Sequence, residues 1–182
     1  MVAPQVLDPA ARVDRLLHQA DVVWLSTVRP DGSPHLVPIW FSWDGHRLFI
    51  ASKPGAVKVR NLRENQKVMF AIGDPEDDFD VGMADGVAEI PDGTTAELIP
   101  AGHLEKYRAQ MAAMGLDAAE YVATYSQPVI VTPTRCLPWH GRSVPRSAIA
   151  PQPKSSWLDG LRQLGRRTWR PAFRPATQGA PA

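Results

Sequence analysis

The chain has 182 residues, 44% of them hydrophobic, and a formal net charge of +1 at neutral pH. This length fits one domain with extensions, the apolar content is enough for a core, and the charge gives no reason to expect nucleic acid as a partner. The single cysteine, Cys136, excludes a disulfide within the chain, and the first residues lack a signal-peptide pattern, so we expect a cytoplasmic protein.

The predicted elements begin with a helix at 8–20, with Asp8 as its N-cap and Pro9 as its first residue. Three strands rich in β-branched and aromatic residues follow at 21–29, 34–43 and 46–52. Asp44-Gly45 separates the last two, which is a strong hairpin signal. The pattern therefore predicts a three-stranded antiparallel meander.

The rest of the predicted domain alternates helices with single strands. Helices are predicted at 56–64, 94–114 (broken or kinked at Pro100) and 117–126, and strands at 67–74, 81–90 and 128–136, with an acidic loop at 75–80. Six short strands in antiparallel succession, without βαβ units, predict a small barrel of the mainly-β, α+β class.

The composition changes near residue 142. Residues 1–142 are mildly acidic, whereas residues 143–182 carry seven basic side chains and one acid, with many Pro and Ser residues. Residues 155–169 predict a short amphipathic helix, which could lie on an anionic membrane surface or dock on a partner. A plain disordered extension is an alternative that the sequence supports at least as well. We therefore expect a domain at 1–142 and a separate basic tail at 143–182.

Several catalytic patterns are missing from the sequence. HExxH, CxxC, GxSxG, P-loop and GxGxxG motifs do not occur, and no two of the five histidines have metal-ligand spacing. We therefore predict no metal site, and we interpret Cys136 as a packed residue. If the chain is an enzyme, the difficult chemistry then belongs to a bound cofactor.

The stretch SKPGAVKVRNLREN, residues 52–65, places basic residues at a helix start, where acidic residues are favoured. Lys58 and Arg60 stand near the N-terminus of the predicted helix, and no acid occurs before Glu64. A helix N-terminus carries partial positive charge and unpaired N–H groups, so it favours an anion. The stretch indicates either an anion site or an exposed basic turn in water, and on its own it does not favour one.

The surrounding motifs carry a family resemblance. T-x-R-P-D-G-S-P-H, V-P-I-W, D-G and K-x-R-N-L-R occur in this order within about residues 21–91, and a weaker match follows at 129–139. The ordered set resembles the flavin- and deazaflavin-binding split β-barrel family, the pyridoxamine 5'-phosphate oxidase-like oxidoreductases. The resemblance implies a six-stranded split barrel and a homodimer with the cofactor at the interface.

The same resemblance implies a cofactor site. The second barrel strand would lie along the ring system, and the end of the third strand with the basic turn would hold the phosphate. The implied residues are Leu36, Val37, Pro38, Ile39, Trp40, Ala51, Ser52, Lys58, Arg60 and Asn61. Pro38 cannot donate to a sheet ladder, so we expect a sheet edge or bulge there. Simple core packing is the alternative for Trp40, and no catalytic acid stands out.

One departure from the family pattern bears on the cofactor. Many flavin-binding members have an arginine just before the lysine, where this chain has Val57. The resemblance is then greater to the branch that uses coenzyme F420, whose acidic tail Arg60 and Arg63 could meet unless both simply face solvent. It implies hydride transfer between coenzyme F420 and a small conjugated organic substrate. The alternatives are an FMN-dependent oxidoreductase and a non-catalytic flavin-, deazaflavin- or haem-binding protein.

Overall fold

The computed structural model describes residues 8–73 and 80–137. Most of the predicted acidic loop at 75–80 and the whole predicted tail at 143–182, with its helix at 155–169, lie outside these residues. Within them, no helix is both long and apolar enough to cross a membrane.

The first helix, α1, spans Pro9–Gln19 as predicted. The Asp8 carboxylate accepts a hydrogen bond from the backbone N–H of Ala11 at 3.4 Å, which caps the helix. Its buried residues Val13, Leu16 and Leu17 belong to the barrel core. The helix therefore covers one side of the barrel.

In the described part of the chain, seven strands form one antiparallel sheet. They are β1 Val22–Val28, β2 Pro34–Trp40, β3 Ser42–Trp43, β4 Leu48–Ser52, β5 Lys67–Gly73, β6 Val81–Glu89 and β7 Gln127–Leu137. The order across the sheet is β2-β1-β5-β6-β7-β4-β3. The curled, mostly-β sheet with added helices confirms the predicted split-barrel α+β class.

The strand count differs from the prediction because the strand expected at 34–43 divides at Phe41. Its first part, β2, pairs with β1, and its second part, β3, pairs with β4. Since β2 and β3 are the two ends of the sheet order, the peptide at Phe41 links one end of the sheet to the other. The predicted continuous meander is therefore wrong at this point, although both predicted pairings occur.

Among residues 8–73 and 80–137, five further helices lie between the strands. They are α2 Val57–Glu64, α3 Thr95–Leu98, α4 His103–Lys106, α5 Arg108–Ala113 and α6 Ala118–Thr124. The helix predicted at 94–114 is thus three short helices. The break after α3 contains Pro100, as predicted, and Gly102, whose positive φ of 87° suits glycine. A second break, which the sequence did not predict, falls at Tyr107.

Residues 94–126, between β6 and β7, form what we call the helical insert. Its buried residues Tyr107, Met111 and Tyr121 make a small core of their own, separate from the barrel core. Trp40 and Ala51 of the barrel pack against this second core. The insert therefore meets the barrel along the strands on which the sequence places the cofactor.

Candidate functional site

The start of α2 has no internal compensation for its positive end. Its N-cap, Ala56, makes no side-chain hydrogen bond, and its first turn contains no acid. Lys58 in that turn is half-buried, and burial lowers the pKa of its ammonium group. Lys58 has neither an ion pair nor a hydrogen bond to any of residues 8–73 and 80–137. The first turn therefore presents a positive charge that an anion would stabilise.

The positive potential extends to the neighbouring end of β2. His35 has a lowered pKa, chiefly because it is partly desolvated and also because Arg29 and Lys58 repel its protonated form. An anion bound beside Lys58 would offset that repulsion.

Lys58 opens onto a pocket of about 370 Å³. The pocket is lined by Val22, Pro38, Ile39, Trp40, Ala51, Lys58, Met114, Tyr121 and Tyr125. Its walls are therefore apolar and aromatic, and Lys58 is the one cation among the described residues that line it. Concave apolar sites with few polar groups are typical of small-molecule and cofactor sites.

Aromatic rings are stacked along one wall of this pocket. Trp40 stacks on Tyr107 with ring centroids 4.8 Å apart and an interplanar angle of 5°. On the pocket side, Tyr121 lies 6.0 Å from Trp40 and 5.0 Å from Tyr125. Aromatic faces of this kind offer a flat apolar surface to a planar ring.

Pro38 stands at a sheet edge, as the sequence predicted. In the described sheet, β2 pairs with β1 alone, and Pro38 lies opposite Trp24. A proline is tolerated there because an edge strand can lack one ladder donor. The open edge of β2 lies at the pocket, since Pro38, Ile39 and Trp40 all line it.

The pocket brings together half of the predicted cofactor residues. Those that line it are Pro38, Ile39, Trp40, Ala51 and Lys58. Ser52 is buried next to Ala51, and its hydroxyl donates only a long hydrogen bond of 3.4 Å to the Lys53 carbonyl. That weak bond leaves the hydroxyl able to turn toward another acceptor.

The other predicted residues lie outside the pocket lining. Leu36 is 57% exposed on the outer face of the sheet, whereas Val37 packs against the barrel core. Arg60 is exposed on α2. Asn61 is buried, and its amide donates a hydrogen bond of 2.9 Å to the Thr27 hydroxyl.

Four residues that line the pocket were not predicted from the sequence. Val22, Met114, Tyr121 and Tyr125 are in the pocket, and the last three belong to the helical insert. The four-residue spacing of the two tyrosines puts them on one face of the predicted helix, which was an available signal. It did not show that this face meets the barrel.

A second, larger cleft of about 730 Å³ lies on another side of the insert. Its lining includes Asp21, Ser42, Trp43, Phe49, Gly102 and Lys106. Lys106 donates a hydrogen bond of 2.7 Å to the Ala20 carbonyl and lies 4.4 Å from the centre of the Phe41 ring. Burial lowers the pKa of Lys106, and nearby Asp21 partly opposes this.

A buried histidine separates the cleft from the pocket. His103 is 1% exposed; its Nδ1 lies 2.7 Å from the Ser42 hydroxyl and its Nε2 lies 3.1 Å from the Tyr121 hydroxyl. Burial, with a smaller effect from the Lys106 charge, lowers the pKa of His103 to about 4. Burial likewise raises the pKa of Tyr121 to about 12. Both side chains are therefore neutral near pH 7.

The described residues contain no group of three or more histidine, cysteine or carboxylate side chains that could hold a metal ion. Cys136 is partly buried and packs against the barrel core. Burial raises the pKa of its thiol, which is the opposite of activation.

Comparison with known proteins gives one family match and several structural matches. The family described as pyridoxamine 5'-phosphate oxidase matches residues 10–140, well over half of the chain. A solved F420 reductase is 29% identical with a TM-score of 0.54, over 68% of this chain and 94% of the reductase. A search of curated proteins finds no match.

Two more distant solved structures support the fold alone. A conserved hypothetical protein, Rv2991 of Mycobacterium tuberculosis, is 21% identical with a TM-score of 0.60, over 84% of this chain and 98% of its own. An FAD-binding protein of Mesorhizobium loti is 16% identical with a TM-score of 0.54, over 71% and 92% of the two chains. The split-barrel architecture is therefore shared well beyond close sequence similarity.

Proposed function

Because this chain belongs to the pyridoxamine 5'-phosphate oxidase family, whose members bind flavins and deazaflavins, we propose that it is an oxidoreductase that transfers a hydride between coenzyme F420 and a small conjugated organic substrate. The observation that carries the proposal is Lys58, a cation without a partner among the described residues, at an uncapped helix start that opens onto an aromatic pocket. The likeness to an F420 reductase supports the deazaflavin rather than the flavin.

The residues of the pocket fit such a cofactor. Lys58 and the free N–H groups of α2 would hold its phosphate, with the Ser52 hydroxyl turning to assist. Pro38, Ile39 and Trp40 would lie along its ring system. The bound cofactor supplies the hydride chemistry, while these residues bind it, orient it and exclude water.

Two residues on α2 favour the deazaflavin. Val57 replaces the arginine that would complete a tighter clamp on a terminal phosphate. Arg60, exposed one turn along the same helix, is available to the acidic tail of coenzyme F420, which continues beyond the phosphate. FMN ends at its phosphate and would gain nothing from Arg60, so we place it second.

A homodimer with the cofactor between the subunits is part of the proposal. Leu36 and Met69 both pair with Ser26, so these two exposed apolar side chains are neighbours on the outer face of the sheet. Trp24, 48% exposed, lies on the same face two residues from Ser26 and opposite Pro38 of the pocket. A second copy covering this patch would also cover the open edge of β2.

Cofactor titration of the purified full-length protein tests the function. We expect coenzyme F420 to bind at micromolar concentration or below, seen as a change in its fluorescence polarisation, and at least tenfold more tightly than FMN. The loaded protein should reduce menadione with reduced coenzyme F420. Tighter binding of FMN would favour the flavin enzyme, and binding without turnover would favour a carrier. If neither cofactor binds at micromolar concentration, both enzyme assignments are wrong.

A further inference from the structure

We infer that Ser42, His103 and Tyr121 form a proton-conducting chain from the larger cleft to the cofactor pocket. The inference rests on the proposed function, because only a reaction in the pocket that consumes a proton would use such a chain. It assigns roles to buried polar groups that cofactor binding leaves unexplained.

The three side chains come from three elements and span the wall between two cavities. Ser42 on β3 lines the cleft, and Tyr121 on α6 lines the pocket. His103, at the start of α4, lies between them and is within hydrogen-bond distance of both, at 2.7 and 3.1 Å. Hydrogen-bond distances therefore link a residue that lines the cleft to a residue that lines the pocket.

Each member can both donate and accept a hydrogen bond while neutral. A hydroxyl can pass on one proton as it receives another, and a neutral imidazole can do the same through its two nitrogens. The groups around His103 keep it neutral: the Phe49 and Tyr107 rings lie 5.6 and 5.0 Å away, and the Lys106 charge disfavours protonation. Relay by neutral tautomers avoids placing a charge in this buried site.

In the direction of substrate reduction, the protons and electrons of the transfer balance. A substrate that accepts a hydride from a reduced deazaflavin gains an electron pair and requires one proton. Tyr121 gives that proton from its hydroxyl and takes another from Nε2 of His103. Nδ1 then accepts the proton of Ser42, and water in the cleft replaces it. The net reaction consumes one proton from solvent, and the three side chains end with the other His103 tautomer.

The other proton-bearing groups that line the pocket are not connected in this way. These are Lys58 and Tyr125. Lys58 holds the phosphate in the proposed function, so it stays charged. The Tyr125 hydroxyl makes no hydrogen bond to the residues that the structure describes. Of the described lining residues, Tyr121 alone joins the pocket to the cleft.

The state of His103 can be tested without any cofactor. Nitrogen-15 NMR of the full-length protein at pH 7 should show one protonated and one unprotonated ring nitrogen for His103. Tyr121→Phe should shift the Nε2 resonance and leave Nδ1 nearly unchanged, and Ser42→Ala should do the reverse. A doubly protonated ring, or nitrogens that respond to neither variant, would overturn the chain.

The transfer itself can be tested with two hydride acceptors. Menadione needs a proton after it accepts a hydride, whereas the cation N-methylacridinium is neutralised by the hydride alone. With reduced coenzyme F420, His103→Gln should slow menadione reduction about 100-fold or more, the usual scale of lost acid catalysis. N-methylacridinium reduction and cofactor affinity should change less than twofold.

Glutamine keeps a donor and an acceptor at this position but cannot exchange its protons between tautomers. A similar loss with both acceptors would show that His103 is structural, and no loss with menadione would show that the proton takes another route. If the wild-type protein does not bind coenzyme F420, the proposed function fails, and the NMR measurement then decides whether the hydrogen-bonded chain exists.

Discussion

Lys58 is the side chain on which the proposed anion site at the start of α2 depends. It adds a full charge to a helix end that already carries partial positive charge and has no capping side chain. Its lowered pKa reflects burial with no counterion among the described residues, and a bound phosphate would raise that pKa again.

Replacing Lys58 with alanine should weaken binding of both coenzyme F420 and FMN. A charge-assisted hydrogen bond contributes about 1.5–3 kcal/mol, so we expect affinity to fall about 10- to 100-fold in fluorescence titrations. Lys67→Ala is the matched control, because Lys67 is exposed on β5 and does not line the pocket. Equal losses in the two variants would remove Lys58 from the site.

Arg60→Ala should separate the two cofactors. If Arg60 meets the acidic tail of coenzyme F420, its loss should weaken that cofactor severalfold in the same titration and leave FMN affinity unchanged. An identical effect on both would contradict a tail contact.

His103 makes folding stability depend on pH. Its pKa is about 4 in the folded protein against an ordinary value of 6.5, so the unfolded chain takes up a proton that the folded chain refuses. The contribution is fully present above pH 6.5 and is lost as the pH falls toward 4. Between pH 7 and 5 the wild type should lose about 1–2 kcal/mol more unfolding free energy than His103→Gln in urea titrations. Parallel losses would show that His103 is not the group responsible.

At this scale the sequence pointed to some of the residues that line the pocket, such as Lys58, and missed others. Lys58 is a basic residue in the first turn of a helix, where the helix dipole favours an acid. This signal is local, because one turn of sequence is enough to recognise it. Tyr121 and Met114 lie in the pocket only because the helical insert packs on Trp40 and Ala51, which no local pattern records. The polar side chain of Asn61 suggested a contact with a cofactor. Instead, Asn61 is buried and its amide donates a hydrogen bond to the Thr27 hydroxyl.

Among the elements, the division between β2 and β3 at Phe41 involves a contact with Tyr107, which lies far along the chain. The Tyr107 hydroxyl accepts a hydrogen bond from the Phe41 N–H at 2.9 Å and lies 2.7 Å from the carbonyl oxygens of Phe41 and Asp21. It therefore satisfies the backbone where the chain leaves one end of the sheet for the other. Burial raises the pKa of Tyr107 strongly, so the hydroxyl keeps its proton.

Tyr107→Phe should destabilise the protein by about 1–3 kcal/mol, because it leaves the buried Phe41 N–H without its acceptor. The unfolding midpoint in urea measures this. Tyr125→Phe removes a hydroxyl that has no hydrogen bond to the described residues, so it should cost much less. If the two variants were equally stable, the backbone at Phe41 would be satisfied in another way.

The same contact explains why the strand prediction failed here while its neighbours succeeded. Residues 34–43 are uniformly rich in strand formers, so composition gives no sign of a division. The division is set by Tyr107, in a helix break that the sequence also did not predict. Pro100 and Asp44-Gly45, whose effects are local, were interpreted correctly.

For the whole molecule, the apolar outer face of β1, β2 and β5 is the surface on which the homodimer proposal depends. Leu36→Lys should convert a dimer into monomers at micromolar concentration, measured by light scattering during size exclusion, because it places a charge within the covered patch. Leu98→Lys is the control, since Leu98 is 40% exposed on α3 in the helical insert. A wild-type protein that is already monomeric would refute the dimer.

Two separate parts of the chain line the pocket, the barrel and the helical insert. The barrel contributes Lys58 and the edge of β2, whereas the helical insert, with its own small core, contributes Met114, Tyr121 and Tyr125. Both ends of the insert join strands that neighbour each other in the sheet, β6 and β7. The fold is thus modular: under the proposed function, exchanging the segment between Ile90 and Gln127 would change substrate selectivity and leave the barrel residues proposed to bind the cofactor in place.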